Sequence, residues 1–187
     1  MKHRKLTAGV TGLSLAIGVA VAGGATAAGG AAPSKVIVKE SYSLKMVANR
    51  YIQDGMRFDK DVYTVKSGGT VKFLMSAPQE GAHTLTVVAP KDLPKTAEQA
   101  FNGCNVCGKL AKAHGAEPNS EQPPKFQFLE NGVGQNTPSI LDKPGDSGVV
   151  APQPGSSVTF KVGAKKGTTL SFMCIIHPWM QAKLRVQ

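Results

Sequence analysis

Two separate blocks of short alternating segments, residues 35–90 and 147–187, are the feature that most constrains the fold of this chain. Apolar and polar residues alternate in "TVKFLM" and "HTLTVV" of the first block and in "SSVTFKV" and "TTLSFMC" of the second, with Gly, Pro or Ser turns between such runs. Alternation with a period of two places the apolar side chains of a strand on one face. The two blocks therefore predict an all-β fold, a sandwich of two packed sheets.

The segment between the two blocks, residues 91–146, has a different character. The sequence "TAEQ" at 96–99 has the form of a helix capping box, and "AEQAF" and "KLAKAH" predict short helices. After Gly115 the chain is rich in Pro, Asn and Gly and predicts a loop. We interpret 91–146 as a partly helical insertion in one sandwich domain that covers residues 28–187.

The first 27 residues predict a secretory signal peptide. A basic start, "MKHRK", is followed by a long uncharged stretch and by the small residues Ala25-Thr26-Ala27. We therefore expect an exported protein, periplasmic or extracellular. An uncleaved segment that tethers the domain to a membrane is the alternative, and it stays open.

The formal net charge of the chain is +10. Its lysines are scattered singly, and no basic stripe is interleaved with aromatic residues, so we expect no nucleic-acid partner. A basic surface suits an acidic partner protein or an anionic membrane surface instead.

The alternating runs and the loop after the last of them contain side chains that can bind a metal. His83 and Cys174 have the parity of the apolar residues in their own runs, so both are predicted to face the interior, while Thr84 and Thr86 face the other way. An inward imidazole needs a partner. His177 and Met180 follow Cys174 in "CIIHPWM".

Two imidazoles, a thiolate and a weak thioether match the trigonal copper site used in electron transfer. Zinc bound by one cysteine and two histidines is the chemical alternative, and the methionine favours copper.

Two long segments carry a resemblance to a known family. "GMRFDKDVYTVKSGGTVKFLMSAPQEGAHTLTVV" and "PGSSVTFKVGAKKGTTLSFMCIIHPWMQAKLRVQ" resemble the cupredoxins, the blue copper proteins that include plastocyanin and amicyanin. The spacing Cys-x2-His-x2-Met is most similar to that of amicyanin. The resemblance implies a Greek-key β-sandwich with one type 1 copper ion, whose ligands would be His83, Cys174, His177 and Met180.

The resemblance also implies a surface for electron exchange. His177 would lie near the surface as the electron port, and Pro178 and Trp179 would add to an apolar docking patch. Ala82 and Thr84 stand where the family often has Pro and Asn. That Asn commonly joins the two ligand loops by hydrogen bonds, and we expect the hydroxyl of Thr84 to do part of this.

The small number of histidines limits the chemistry. Of the four, His3 belongs to the signal segment and two belong to the candidate site, which leaves only His114. A second, catalytic copper needs further histidines, so we expect a monomeric electron carrier that passes single electrons between redox partner proteins through Cu(I) and Cu(II), and not an enzyme. A copper chaperone or storage protein is the alternative.

The pair Cys104 and Cys107 stands apart from this site. Gly108, not His, follows the second cysteine, so the pair does not form a haem attachment motif. In an exported protein a local disulfide is the first interpretation. A redox-active dithiol, or a second metal site that also uses His114, remains an alternative.

Overall fold

The computed structural model describes residues 31–102, 104–116 and 122–187, so the signal peptide predicted for residues 1–27 lies outside the described residues. Within the described ranges, no helix is both long enough and apolar enough to cross a membrane. The strands of these ranges are, in chain order, β1 (Lys35–Ser41), β2 (Leu44–Val47), β3 (Tyr51–Asp54), β4 (Arg57–Phe58), β5 (Val62–Val65), β6 (Thr70–Leu74), β7 (His83–Val88), β8 (Phe128–Glu130), β9 (Val133–Gln135), β10 (Ile140–Leu141), β11 (Ser147–Val150), β12 (Ser157–Val162), β13 (Thr169–Met173) and β14 (Gln181–Val186). The α-helices are α1 (Ala97–Phe101) and α2 (Asn105–Ala113).

These strands form two main sheets and a separate hairpin. One sheet has the order β10-β12-β6-β1-β4, the other has the order β5-β14-β13-β7-β11-β8-β9, and β2 pairs with β3 alone. Strands from both sequence blocks lie side by side in each main sheet. The prediction of an all-β sandwich with a partly helical segment is confirmed.

Aromatic side chains from both sheets form the centre of the core. The ring of Phe58 meets the edge of Phe73 at a centroid distance of 5.8 Å and that of Phe172 at 4.9 Å. Phe73 belongs to the five-stranded sheet and Phe172 to the seven-stranded one, so these contacts join the two layers. Edge-to-face packing of this kind stabilises an aromatic pair beyond the area that it buries.

The central strand of the larger sheet positions the first histidine of the candidate site. β7 pairs antiparallel with β13, where Val87 lies opposite Phe172, and on its other side with β11, where His83 lies opposite Val150. Because β7 and β13 run in opposite directions, the start of β7 and the end of β13 lie at the same end of the sandwich. His83 and Cys174 are brought together in this way.

Helix α1 covers the predicted run "AEQAF", whereas α2 begins at Asn105, four residues before the predicted run "KLAKAH". Thr96 caps α1, since its hydroxyl oxygen accepts the amide of Gln99 at 3.2 Å. The side chain of Gln99 accepts the amide of Lys95 at 2.8 Å, one residue before the position that a capping box uses.

Helix α2 covers the outer face of the larger sheet. Its residues Cys107 and Leu110 pack in a second apolar cluster with Val88, Met173 and Ile175. The threonines of β7 were predicted to face away from the interior, yet all six residues of this strand are buried. They do alternate, but the segment 91–146 covers the second face of the sheet, where Val88 of β7 packs with Cys107 and Leu110 of α2.

Candidate metal centre

Three side chains with nitrogen or sulfur donors converge at the edge of the sandwich. His83 at the start of β7, and Cys174 and His177 in the loop between β13 and β14, each place one donor atom within 4.8 Å of the other two. All three residues are buried, and Cys174 and His83 are 0% exposed. The structure thus brings together the cysteine and both histidines predicted from the sequence.

The donor atoms form a compact triangle. Nδ1 of His83 lies 3.1 Å from Nδ1 of His177, and each of these atoms lies 3.8 Å from Sγ of Cys174. The point equidistant from these three atoms lies about 2.1 Å from each, a length typical of metal–nitrogen bonds and slightly shorter than a zinc–sulfur bond. The residues present therefore fit a metal ion held by three donors.

Met180 closes the same loop. Met180 is 0% exposed and belongs to the main apolar core. The amide of Cys174 donates to the carbonyl of Met180 at 3.0 Å, and the amide of Met180 donates to the carbonyl of His177 at 2.8 Å. The backbone of the loop is therefore tied to the strand end at Cys174 and to the second histidine.

The sulfur of Cys174 is held by the start of β7. The amide of Thr84 donates to Sγ at 3.3 Å, and the amide of Ile175 donates to the hydroxyl oxygen of Thr84 at 2.9 Å. Burial raises the pKa of the Cys174 thiol, and backbone hydrogen bonds, the first of them from Thr84, oppose this rise. A metal cation would favour the thiolate directly, because a coordinating thiol loses its proton.

Both histidines of the triangle favour the neutral ring. Burial lowers the pKa of His83, and the backbone of Ala77 partly opposes this shift, although no hydrogen bond of good geometry forms at Nε2. Burial also lowers the pKa of His177, and the neighbouring His83 lowers it further. The neutral imidazole is the form that binds a metal.

The predicted docking residues are His177 of the triangle and the two residues that follow it, and they differ in exposure. His177 is 8% exposed, Pro178 is buried and Trp179 is half-buried. Two apolar side chains that sequence reasoning did not single out lie beside them. Phe101 is 68% exposed and its ring lies 5.0 Å from that of Trp179, while Ile176 is 47% exposed. An apolar residue at the last position of a polar helix was the available signal for Phe101.

Cys104 and Cys107 form a disulfide at the start of α2. His114 does not join them, because Nδ1 of its ring lies 2.8 Å from the carbonyl of Phe126 and Nε2 lies 2.9 Å from the hydroxyl of Ser147. Both ring nitrogens of His114 thus have partners elsewhere.

Comparison with known proteins finds likenesses among solved structures only. No protein-family model and no curated protein matches the chain. Among solved structures, auracyanin A, a "blue" copper protein from Chloroflexus aurantiacus, is 19% identical over 83% of this chain and 99% of its own, with a TM-score of 0.42. Plastocyanin from Dryopteris crassirhizoma is 17% identical over 81% of this chain and 100% of its own, with a TM-score of 0.37. A multicopper oxidase is 14% identical over 82% of this chain and 38% of its own, with a TM-score of 0.36.

The resemblance to cupredoxins that the sequence shows is confirmed by the structure itself. The chain forms a β-sandwich, and the histidine–cysteine–histidine triangle lies at its edge with Met180 in the same short loop. Two imidazoles, one thiolate and one thioether are the donor set of a type 1 copper site.

Proposed function

We propose that this protein is a type 1 copper protein that carries single electrons between redox partners. The observation that supports this most directly is the triangle of two Nδ1 atoms and one Sγ atom. Its donors are soft or intermediate, it lies in an apolar environment, and it includes no carboxylate. Copper supplies the one-electron couple when it is bound at such a set of donors.

The protein would hold the donors in one arrangement in both oxidation states. His83 is fixed by the pairing of β7 with its two neighbours, and Cys174 is fixed by the amide of Thr84. Backbone hydrogen bonds constrain the loop that carries His177 and Met180. A site that moves little on gaining or losing an electron lowers the reorganisation that accompanies transfer.

The remaining donors of the chain support an electron carrier more than an oxidase. Within the ranges that the structure covers, the other cluster with metal-binding groups consists of the carboxylates of Glu130, Asp142 and Asp146. This cluster contains no histidine, and Lys143 lies 3.7 Å from Glu130 and 3.6 Å from Asp142.

Partners and location are part of the same proposal. The apolar side chains of Ile176, Trp179 and Phe101 beside the buried His177 suit brief docking of a redox partner protein. The basic net charge suits an acidic partner or a membrane-bound one. The signal pattern at residues 1–27 and the disulfide between Cys104 and Cys107 support export to an oxidising compartment.

Spectroscopy of the copper-loaded protein tests this function. We expect one copper ion per chain, an intense thiolate-to-copper absorption in the visible range, and reversible one-electron cycling. Cys174→Ser should abolish the absorption. The double variant Cys104→Ala/Cys107→Ala, which removes the other two cysteines, is the matched control and should keep it.

A colourless protein that gives up its copper to a weak chelator would contradict the proposal and support a copper chaperone or storage protein. A wild-type protein that retains zinc when copper is present at the same concentration would contradict the proposed function and support a zinc site.

A further inference from the structure

A buried chain of hydroxyl groups leads from His114 toward the ligand loop. Nε2 of His114 lies 2.9 Å from Oγ of Ser147, which lies 2.7 Å from Oγ1 of Thr86, which in turn lies 2.9 Å from Oγ1 of Thr84. All four residues are between 0 and 1% exposed. The chain connects the end of α2, the strand β11 and the strand β7, and none of its members belongs to the metal triangle.

The far end of this chain lies at the metal-binding sulfur. Oγ1 of Thr84 accepts the amide of Ile175, the residue after Cys174, at 2.9 Å. The amide of Thr84 itself donates to Sγ of Cys174 at 3.3 Å. These two bonds place the side chain of Thr84 beside Cys174. Burial raises the pKa of the thiol, and the side chain of Thr84 opposes this rise more weakly than its amide does. Only the amide has hydrogen-bond geometry to Sγ in the structure.

Counting protons along the chain shows what a charged His114 would do. Nδ1 of His114 faces the carbonyl of Phe126, which only accepts, so Nδ1 carries a proton. In the arrangement that the structure shows, the hydroxyl of Thr86 donates to that of Thr84. Ser147 must then donate to Thr86, and Nε2 of His114 must donate to Ser147. With Thr86 as the donor to Thr84, all contacts are satisfied only when both ring nitrogens carry protons, and the proton of Thr84 is then free.

The neutral ring requires the opposite direction. Nε2 accepts in this state, so Ser147 uses its single proton on His114. The 2.7 Å contact between Ser147 and Thr86 then needs the proton of Thr86. Thr86 has no second proton for Thr84, and the hydroxyl of Thr84 must turn its own proton toward Thr86. The two protonation states of His114 thus differ in whether the proton of Thr84 is engaged or free.

The other titratable groups around His114 make no direct contact with its ring. The chain elements packed against it carry these charged residues: Lys109 and Lys112 on α2, Lys125 before Phe126, and Asp146 before Ser147, with His83 on β7. Asp146 accepts the amides of Asn131, Asp142 and Lys143. Burial lowers the pKa of His114, and the hydrogen bond to the Phe126 carbonyl opposes this shift. The ring therefore changes its charge on the acid side of neutral pH.

We propose that His114 is a positioning residue of the metal centre, which acts through Ser147 and Thr86 to set whether the hydroxyl proton of Thr84 is available to the sulfur of Cys174. The proposal rests on the function proposed above. Hydrogen bonds to a ligating cysteine sulfur tune the reduction potential of a metal site. A proton taken from solvent by His114 would free the hydroxyl of Thr84 for the thiolate, draw electron density from the sulfur and favour the reduced state.

The sign of the effect follows from these states. The reduction potential should rise as the pH falls through the pKa of His114, below the ordinary histidine value of about 6.5. If reduction tightens proton binding at His114 tenfold, the potential rises by about 59 mV, the value for a tenfold change with one electron.

The test compares the reduction potential against pH for copper-loaded wild type and Thr86→Val, with Ser147→Ala as a second break in the chain. Both variants interrupt the hydroxyls without touching a candidate ligand, so any contribution from His177 remains in every profile. We expect the variants to lose the part of the pH dependence that follows His114. Thr159→Val, at an exposed position of β12, should keep the wild-type profile. Identical profiles for wild type and both chain variants would overturn the proposal.

Nuclear magnetic resonance of the metal-free protein gives a readout that is independent of copper. In the wild type the amide signals of Thr84 and Ile175 should contain a step at the pKa of His114, which its own ring signals report. In Thr86→Val this step should be lost, while any steps from His83 and His177 remain. Amide signals that ignore the charge on His114 would overturn the proposal even if the copper protein has its thiolate absorption. Loss of that absorption in the wild type would instead contradict the proposed function and leave the amide result to stand by itself.

Discussion

Replacing Thr84 by Val removes one hydroxyl from the buried junction between β7 and the ligand loop. Oγ1 of Thr84 accepts the amide of Ile175 at 2.9 Å and contacts the hydroxyl of Thr86 at 2.9 Å, in a residue that is 1% exposed. Valine has nearly the same shape but no acceptor, so the amide of Ile175 stays buried without a partner, which costs about 1–3 kcal/mol. Thr86 keeps its contact with Ser147 and loses the other, which adds about 0.5–1 kcal/mol.

We therefore expect Thr84→Val to lower the free energy of unfolding of the metal-free protein by about 1.5–4 kcal/mol. Equilibrium unfolding in urea measures this, with the slope m unchanged. A loss of about 2 kcal/mol corresponds to a fall in melting temperature of about 4–8 °C for a chain of this size. Hydrogen exchange at the amide of Ile175 should accelerate as well, because this amide loses its acceptor.

The matched control is Thr159→Val on β12. The side chain of Thr159 is exposed, so the same chemical change there should alter the free energy of unfolding by no more than about 0.5 kcal/mol. If Thr84→Val is as mild as Thr159→Val, the hydroxyl of Thr84 does not satisfy the amide of Ile175 and the reasoning is refuted.

Three further perturbations probe the other parts of the fold. Leu110→Ala in the cluster between α2 and the larger sheet should lower the free energy of unfolding by about 2–5 kcal/mol, and a loss below about 1 kcal/mol would show that α2 does not cover the sheet. Gly148→Ala should destabilise by about 1–3 kcal/mol in the same assay, because the added Cβ would lie 2.6 Å from Cζ of the buried Phe160; an unchanged melting temperature would contradict this close approach. The stability of the metal-free protein should fall as the pH falls below about 6.5, since the pKa values of the three buried histidines are lowered in the folded state and the unfolded chain takes up protons first; stability that is flat between pH 7.5 and 5 would contradict these shifts.

The strands and the metal donors could be predicted from the sequence because both depend on local pattern. Alternation in β7 and β13 places His83 and Cys174 among the apolar residues of their strands, and the structure finds both buried on that side. The loop from Cys174 to Met180 is short enough that three of the four donors are neighbours whatever the rest of the chain does.

The second face of β7 could not be predicted in the same way. The threonines of this strand were predicted only to face away from the side of His83, since alternation indicates which side a residue takes and not what covers that side. Leu110 and His114 lie in a segment with weak periodicity, and their contacts join residues far apart in the chain. The helices α1 and α2 were predicted from capping and composition, but not the face of the sheet on which α2 packs.

The insertion therefore takes part in the metal centre although it contributes no donor to the triangle. Ile175, the residue after Cys174 in the ligand loop, makes two contacts outside that loop. Its amide donates to Thr84, and its side chain belongs to the same apolar cluster as Leu110 of α2. The segment 91–146 therefore contributes apolar contacts to the residue that follows the ligating cysteine, on the face of the larger sheet that the other sheet does not cover.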